Sequence, residues 1–223
     1  MNEKIKKPAT SNPHPSKPAK QANQPAPELI EKQSWKPGNV LSPVPVVLVS
    51  CGGTGELRPN LITIAWTGSV CSDPPMLSIA VRPERFSHGI IKSSGEFVVN
   101  LPSRAQTRIT DWCGMVSGSK IDKFAESGLT AAPASKVGCP IILECPVNIE
   151  CRVTQRLELG SHDLFLAEVV AVQVSSHLID EQGKFRVEKA ELIAYGLGHY
   201  FPLGPAIDHF GFSIRKKFPK TKR

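Results

Sequence analysis

Two strand-like runs, each stopped by proline, constrain this chain more than any other feature. Residues 61–66 and 76–81 are rich in β-branched and other apolar side chains, which favours β-strands. The turn Asp73-Pro74-Pro75 separates the two runs, and Pro83 ends the second one because proline cannot donate to a β-ladder. The pattern predicts two strands with polar side chains gathered where the strands end.

The residues after the second run outline an anion-binding site. Ser87 is a suitable N-cap for a short helix over residues 88–94, whose first N–H groups have no partner inside the helix. Arg82 and Arg85 add up to two guanidinium groups near the positive end of the helix dipole. A phosphate group fits these donors. The alternative is that both arginines are ordinary surface charges flanking a turn.

The basic character of the chain belongs to its ends. The formal net charge is +7, yet residues 34–212 carry 15 basic and 17 acidic residues. Residues 1–33 combine six lysines with six prolines, which predicts a disordered tail, and residues 213–223 form a basic C-terminal tail. We expect residues 34–212 to form one domain. Because this domain has no basic excess, specific nucleic-acid binding is not expected.

Targeting and metal-binding patterns are not found in the sequence. No apolar run has the length of about 18 residues that a membrane span needs, so we expect a soluble, cytoplasmic protein. The six cysteines contain no Cys-x-x-Cys pair, and the six histidines do not fall at metal-ligand spacings. We therefore predict no metal site. Cys113 is the candidate reactive thiol, although a structural thiol is the simpler interpretation.

The remaining sequence favours a mainly β fold with a few short helices. Residues 44–50 predict a first strand, which nearby prolines place partly at an edge. Ser103 and Gln106 form a capping box for a helix over residues 103–114. The short loop over residues 52–55 is interpreted as a hairpin turn, since no Gly-Lys-Ser/Thr ends it.

Two long strands are predicted in the second half of the chain. Residues 148–158 alternate between apolar and polar side chains, with Glu150 on the face predicted to be wet. Residues 164–174 are apolar on both faces, which is typical of a central barrel strand. The spacing of all the predicted strands favours an antiparallel barrel over a βαβ array.

The ordered motifs resemble one family closely. The segments that carry the resemblance are Asn60-x-x-Thr63-x-Ala65-Trp66-Thr67-Gly68, Asp73-Pro74-Pro75, Arg82-Pro83-x-Arg85-x-Ser87, Gly95-Glu96-Phe97-Val98-Val99-Asn100, Asp111-Trp112-Cys113-Gly114, Asp122-Lys123-Phe124 and Gly160-Ser161-His162-Asp163. In this order they resemble the flavin reductase-like, FMN-binding split-barrel family of the flavoredoxin type. The resemblance covers residues 35–203 and favours the phosphate interpretation of the two arginines.

The resemblance implies an antiparallel FMN-binding split barrel with Greek-key connections, forming a homodimer. It implies an isoalloxazine wall made by Asn60, Thr63, Ile64, Ala65, Trp66 and Thr67. It implies a phosphate clamp of Arg82, Arg85 and Ser87, with Asn100 and Lys123 as further ribityl or phosphate contacts. His162 and His199 resemble positions near the flavin edge where a nicotinamide could stack, and a structural imidazole is the alternative for each.

Two function classes follow from the resemblance. The first is an NAD(P)H-dependent FMN oxidoreductase, with NADH or NADPH as the electron donor and FMN bound non-covalently. The second is an electron carrier or flavin-holding protein that receives electrons from a redox partner protein and uses no nicotinamide. A pyridoxamine phosphate oxidase-like enzyme is a third split-barrel possibility, which the motifs between residues 60 and 100 disfavour.

Overall fold

The computed structural model describes residues 31–214. The predicted tails, residues 1–33 and 213–223, lie almost entirely outside this range. Among the described residues, 39–206 form the larger compact unit, and 31–38 and 207–214 lie outside it. Within the described part, no helix is long and apolar enough to cross a membrane.

The larger unit consists of short strands with three α-helices between them. In chain order its elements are β1 Val44–Pro45, β2 Val47–Cys51, β3 Asn60–Ile64, β4 Thr67–Ser72, β5 Pro75–Val81, α1 Phe86–Ser94, β6 Glu96–Leu101, α2 Thr107–Met115, α3 Lys123–Ser127, β7 Ala131–Ala132, β8 Ile141–Ile142, β9 Val147–Glu158, β10 Asp163–Val174, β11 Ile193–Gly196 and β12 His199–Pro202. One-turn 3₁₀ helices lie at Arg104–Gln106, Ser176–Leu178 and Val187–Lys189.

Seven antiparallel strands form the main sheet, in the order β3-β2-β6-β9-β10-β5-β4. The sheet curls so that β3 also contacts β5, although no ladder joins these two strands. A fully buried core fills the inside, with Val49, Ile79, Ile91, Phe97 and Phe165 among its members. The predicted mainly β split barrel with a few short helices is therefore confirmed.

The prediction for the first strand is wrong in one respect. Residues 44–50 do not form one strand: β1 lies at the edge of a three-stranded sheet with β11 and β12, as the prolines suggested, while β2 lies between β3 and β6 in the main sheet. All five residues of β2 are buried. Pro43 and Pro45 fall before and within β1, so β2 keeps every backbone donor for its two ladders.

The sequence also missed one strand. Residues 67–72 lie between the two predicted strands, where the sequence predicts no strand. In the structure Thr67–Ser72 forms β4, which pairs with β5 in a hairpin at the edge of the main sheet. The last four residues of β4 are exposed. Since exposed strands at a sheet edge need no apolar alternation, the Gly-Ser-rich sequence left no strand signal.

The helix starts are partly as predicted. Ser103 and Gln106 make the expected capping box at the 3₁₀ turn that leads into α2. The prediction that Ser87 caps α1 is wrong, because the helix begins at Phe86 and Arg85 occupies the N-cap position. Ser87 is therefore the second helical residue, and its hydroxyl points to a neighbouring strand.

The long hairpin of β9 and β10 lies at the centre of the sheet. β10 pairs with both β9 and β5, so its prediction as a central strand is confirmed. Glu150 on β9 is fully buried, which contradicts the predicted wet face. Its carboxylate accepts hydrogen bonds from Ser135, Lys136 and Gln173.

Candidate functional site

Two adjoining cavities lie where the barrel is open between β3 and β5. The main cleft has a volume of about 360 Å³, and the side cavity has a volume of about 190 Å³. Ile62, Arg85 and Gly114 line both, so one elongated ligand can extend from the first into the second. Small-molecule pockets in proteins have volumes of this order.

The free edge of β3 supplies backbone donors and acceptors to the main cleft. β3 is the terminal strand of the main sheet and pairs only with β2. The Leu61 carbonyl points away from β2, because it accepts a hydrogen bond from the Lys123 ammonium at 2.7 Å. The direction of the N–H and C=O groups alternates along a strand, so Thr63 presents both groups at the same edge. Thr63 also lines the main cleft.

Helix α2 packs closely against this strand and forms a second wall. A Cβ added at Gly114 would lie 3.3 Å from the Thr63 Cβ, so glycine permits the close approach. The Thr63 hydroxyl donates a hydrogen bond to the Thr110 carbonyl on α2. Asp111, Gly114 and Met115 of α2 consequently line the main cleft.

Trp66 and His162 form an aromatic wall of the main cleft. Their ring centroids are 4.4 Å apart with an interplanar angle of 67°, an edge-to-face contact. Trp66 remains 43% exposed, which leaves part of the indole open to a ligand. Partial burial and the positive charge of Arg82 lower the pKa of His162, so its imidazole is neutral at pH 7.

The side cavity is a small polar pocket at the start of α1. The Ser87 hydroxyl, which is almost fully buried, accepts a hydrogen bond from the Asn60 side-chain amide at 2.7 Å. A Cβ added at Gly118 would lie 2.0 Å from the Asn60 Oδ1, so only glycine leaves the amide in this position. The first N–H groups of α1 have no partner inside the helix and carry the positive end of its dipole. These donors suit an anion.

Lys123 is a buried cation beside the side cavity. It is 3% exposed, and its Nζ donates to the Leu61 and Cys113 carbonyls at 2.7 Å each. Burial lowers the pKa of Lys123. An ammonium group has three donors, and residues 31–214 provide no third acceptor. One N–H is therefore left for a ligand.

Cys113 also lines the side cavity. Burial raises the pKa of its thiol to about 11, so the thiol is protonated at neutral pH. Reactivity as a nucleophile depends on the thiolate, which makes the structural interpretation of Cys113 the better one.

The two arginines of the predicted phosphate clamp occupy different places. Arg85 lines both cavities, and its Nη1 lies 3.4 Å from the Gly114 carbonyl. Arg82 lines the main cleft but not the side cavity. Its Nη1 lies 3.4 Å from a Glu84 oxygen, and both side chains of this ion pair are about half exposed or more. The polar and charged residues Arg85, Ser87 and Lys123 line the side cavity, together with one acidic residue, Glu84.

Known proteins with this fold and these motifs identify the family. Residues 41–201, most of the chain, match the flavin reductase like domain. The chain belongs to the flavin reductase like family. The predicted resemblance is therefore confirmed.

The chain is similar to several flavin-related proteins. Flavoredoxin of Desulfovibrio vulgaris (Miyazaki F) superposes with a TM-score of 0.76 at 29% identity, covering 82% of this chain and 98% of flavoredoxin. An FMN-binding protein of Thermus thermophilus superposes with a TM-score of 0.66 at 27% identity, covering 82% and 98%. The reductase component of a 4-nitrophenol monooxygenase of Rhodococcus opacus is 27% identical over 139 residues, 62% of this chain and 69% of that protein.

Most residues that the family resemblance suggested do meet at the two cavities. Thr63, Ile64, Ala65, Trp66, Arg82, Arg85 and His162 line the main cleft, while Asn60, Arg85, Ser87 and Lys123 line the side cavity. The roles of these residues toward a ligand stay predictions.

Asn100 does not reach either cavity. Its side chain is fully buried within the barrel wall, where its amide nitrogen donates to the Leu48 carbonyl at 3.0 Å. Its amide oxygen accepts from the Ile142 N–H at 3.1 Å and from the Asn148 side chain at 2.8 Å. The hydrogen-bonding groups of Asn100 are thus used by the fold.

Thr67 and His199 also lie outside the site. Thr67 belongs to β4 and lines an apolar cavity between the main sheet and β1, not the main cleft. The His199 side chain is exposed and packs near Phe201, whereas the preceding residue, Gly198, lines the cleft.

Sequence reasoning missed three side chains of the main cleft. Asp111, Tyr195 and Tyr200 all line it, and the Tyr200 hydroxyl donates to the Asp111 carboxylate at 3.0 Å. Burial and this carboxylate raise the pKa of Tyr200. Asp111 is part of the motif Asp111-Trp112-Cys113-Gly114, but no sequence pattern indicated a role for the two tyrosines. They reach the cleft from the β11–β12 hairpin, which contacts α2 through the Tyr200 hydroxyl.

Proposed function

We propose that the chain binds one FMN non-covalently, with the isoalloxazine in the main cleft and the phosphate in the side cavity. The observation that carries this proposal is the pair of joined cavities with different chemistry. One has aromatic side chains and a free strand edge, and the other has the buried Lys123 ammonium and Ser87 hydroxyl beside the exposed Arg85. The Thermus thermophilus FMN-binding protein, to which the chain is similar, supports the same ligand.

The residues present fit the two ends of such a ligand. In the side cavity, Lys123 retains one N–H donor, and Arg85 and Ser87 lie beside the helix start. Charge-assisted hydrogen bonds of this kind are the strong ones. In the main cleft, the N–H of Thr63 can face a ring carbonyl or nitrogen, and Trp66 and His162 can pack against a ring edge.

We further propose that the chain is an NAD(P)H-dependent flavin oxidoreductase. Bound FMN would supply the hydride chemistry that no side chain provides. The protein's own part is orientation and exclusion of water, since α2 and the β11–β12 hairpin border the main cleft. A neutral His162 at the cleft wall can donate or accept a hydrogen bond without repelling a cationic nicotinamide product. The Rhodococcus opacus reductase component supports this reaction class.

The second candidate is a carrier that exchanges electrons with a protein partner and uses no nicotinamide. The similarity to Desulfovibrio vulgaris flavoredoxin favours it. The exposed apolar rim of the main cleft, where Met115 is 77% and Trp66 43% exposed, also supports a protein neighbour there. We propose that a second copy of the chain forms a homodimer over this rim, with a redox partner protein acting on the assembled dimer.

Anaerobic stopped-flow mixing tests the two candidates. The FMN-loaded protein is mixed with NADH and, separately, with NADPH, and bleaching of the visible flavin band is followed. Saturable bleaching with either nucleotide supports the oxidoreductase. If dithionite bleaches the flavin but neither nucleotide does, the carrier is the better account.

A further inference from the structure

Arg82 and His162 lie side by side at the ends of the paired strands β5 and β10. β5 and β10 pair antiparallel, with Val81 opposite Asp163. Continuing this register by one residue places Arg82 opposite His162. Trp66 joins the pair, since its carbonyl accepts from the Ala80 N–H at 2.9 Å and its ring contacts His162. A cation, an imidazole and an indole are thus gathered at one end of the main cleft.

Arg82 is also separated from the side cavity. The turn between β5 and α1 is closed by a hydrogen bond from the Arg85 N–H to the Arg82 carbonyl at 3.0 Å, and it puts Arg85, not Arg82, at the cavity. Within residues 31–214, the side-chain partner of Arg82 is Glu84, in an exposed ion pair. Such pairs are weak, so an incoming anion can replace the carboxylate.

The charges around the main cleft leave this end positive. Its lining residues that are acidic, basic or histidine are Arg82, Arg85, Asp111 and His162, and Tyr195 and Tyr200 line it as well. Asp111 is engaged by the Tyr200 hydroxyl at the α2 side. The positive charge of Arg82 helps to lower the pKa of His162. Apart from Glu84, no acidic side chain within residues 31–214 is recorded as pairing with Arg82.

We propose that Arg82 and His162 form a second anion subsite in the main cleft, distinct from the flavin phosphate pocket, which binds an anionic group attached to a planar ring. This inference rests on the proposed function, because the planar ring is that of the second substrate stacked in the cleft. The guanidinium binds the anion, and the Trp66 and His162 rings contact the plane. Arg82 is therefore a specificity-determining residue for the second substrate and not part of the FMN phosphate clamp.

The first test separates the two arginines by FMN affinity. Arg82→Gln, Arg85→Gln and the control Arg108→Gln, an exposed arginine on α2 that lines neither cavity, are titrated with FMN. Arg85→Gln is expected to weaken FMN by about tenfold or more, since it removes a charge-assisted contact. Arg82→Gln and Arg108→Gln are expected to stay within about twofold of the unchanged protein. An equal loss of FMN affinity in Arg82→Gln and Arg85→Gln would show that Arg82 belongs to the phosphate clamp, and this result would overturn the inference.

The second test measures the subsite with matched ligands. The FMN-loaded protein is titrated with benzoate against benzamide, and with nicotinamide mononucleotide against nicotinamide riboside, following the visible flavin spectrum. We expect the anionic member of at least one pair to bind about fivefold more tightly, and Arg82→Gln to abolish that difference while Arg108→Gln keeps it. Discrimination in the first pair identifies a carboxylate as the preferred group, and discrimination in the second identifies a phosphate.

The failure of this inference and that of the proposed function are distinguishable. If neither pair shows a difference that depends on Arg82, the subsite is overturned although FMN binding stands. If the protein takes up no FMN, the proposed function fails, and the same ligand pairs are then titrated by Trp fluorescence. An Arg82-dependent difference there still supports the subsite, and its absence overturns it.

Discussion

The side cavity and the main cleft adjoin each other, yet they are built in opposite ways. Asn60, Ser87 and Lys123 of the side cavity are at most 3% exposed, and each is held by hydrogen bonds inside the protein. In the main cleft, Trp66 and Met115 are 43% and 77% exposed. The first region is fixed before a ligand arrives, whereas the second is open.

This difference indicates that the side cavity and the main cleft have different roles in ligand binding. A preorganised, buried polar pocket loses little side-chain entropy on binding, so it suits the anchoring of a resident cofactor. An open cleft with aromatic walls suits ligands that enter and leave. The phosphate end of the proposed FMN therefore contributes most of the discrimination among flavins, and the ring end is left for exchange with electron donors and acceptors.

The largest expected effect comes from Lys123→Met. The change removes a buried cation from the side cavity, so FMN affinity should fall by about a hundredfold while riboflavin affinity changes little. The Leu61 and Cys113 carbonyls lose their donor, which should lower the free energy of unfolding by about 1–3 kcal/mol. Calorimetric titration and urea denaturation measure the two quantities. Lys120→Met, at an exposed lysine, is the control, and equal behaviour of the two variants would show that Lys123 is only structural.

Gly118→Ala should have a smaller effect on the same cavity. The new Cβ would lie 2.0 Å from the Asn60 Oδ1 and displace the amide that holds Ser87, so we expect FMN to bind about tenfold more weakly. Gly89→Ala on α1 is the matched control, because a Cβ there meets nothing within 4 Å. Fluorescence titration of both variants checks the prediction. Retained affinity in Gly118→Ala would mean that the Asn60 position is not needed.

The FMN affinity should also depend on alkaline pH. Burial lowers the pKa of Lys123 below its ordinary value of about 10.4, and a bound phosphate favours the charged form, so binding above the folded-state pKa takes up a proton. The affinity should then fall by up to about tenfold per pH unit. In the absence of FMN, the stability of the protein should change with pH in the opposite direction. Folding buries the charged lysine at a cost, so the free energy of unfolding rises as the pH rises from the folded-state pKa to the unfolded-state pKa.

Titrations with FMN and riboflavin across the alkaline range measure this pH effect. Riboflavin affinity should stay flat, and Lys123→Met should remove the slope for FMN. A slope that is the same for both flavins would assign the titrating group to the ring end.

The smallest effect is expected in the open region. Tyr200→Phe removes the hydrogen bond to Asp111, which should lower the free energy of unfolding by about 0.5–1.5 kcal/mol. FMN affinity should stay within about twofold, because neither residue lines the side cavity. Thermal unfolding and FMN titration test these two expectations. A large loss of FMN affinity in Tyr200→Phe would show that the main cleft contributes to FMN binding as strongly as the side cavity does.

The sequence predicted the side cavity better than the main cleft, and the reason is locality. Ser87 and Arg85 lie close together at one strand-helix junction, so a short motif is enough to predict that they are neighbours, while their role toward an anion stays a prediction. Tyr195 and Tyr200 reach the cleft from a hairpin almost 90 residues after Asp111, through contacts that no local pattern encodes. Side chains that depend on long-range register are the ones that sequence reasoning missed.

Burial on strand faces was the second source of error. The period-two pattern of β9 is interrupted by a register shift between Val153 and Gln155, and it could not show that Ser135 and Lys136 cover Glu150. The same applies to Asn100, whose motif suggested a ligand contact although its amide bonds neighbouring strands. A pattern tells which side chains share a face, and packing decides what that face meets.

The comparison of FMN with riboflavin is the most direct test of this account. The two ligands share the ring and ribityl chain and differ only in the phosphate, so their affinity ratio measures the side cavity alone. Isothermal titration of the full chain should give one FMN per chain and an affinity at least about tenfold higher for FMN, as expected for charged hydrogen bonds to a phosphate. Equal affinities for the two flavins would contradict the account, because Lys123 and Arg85 would then contribute nothing to binding.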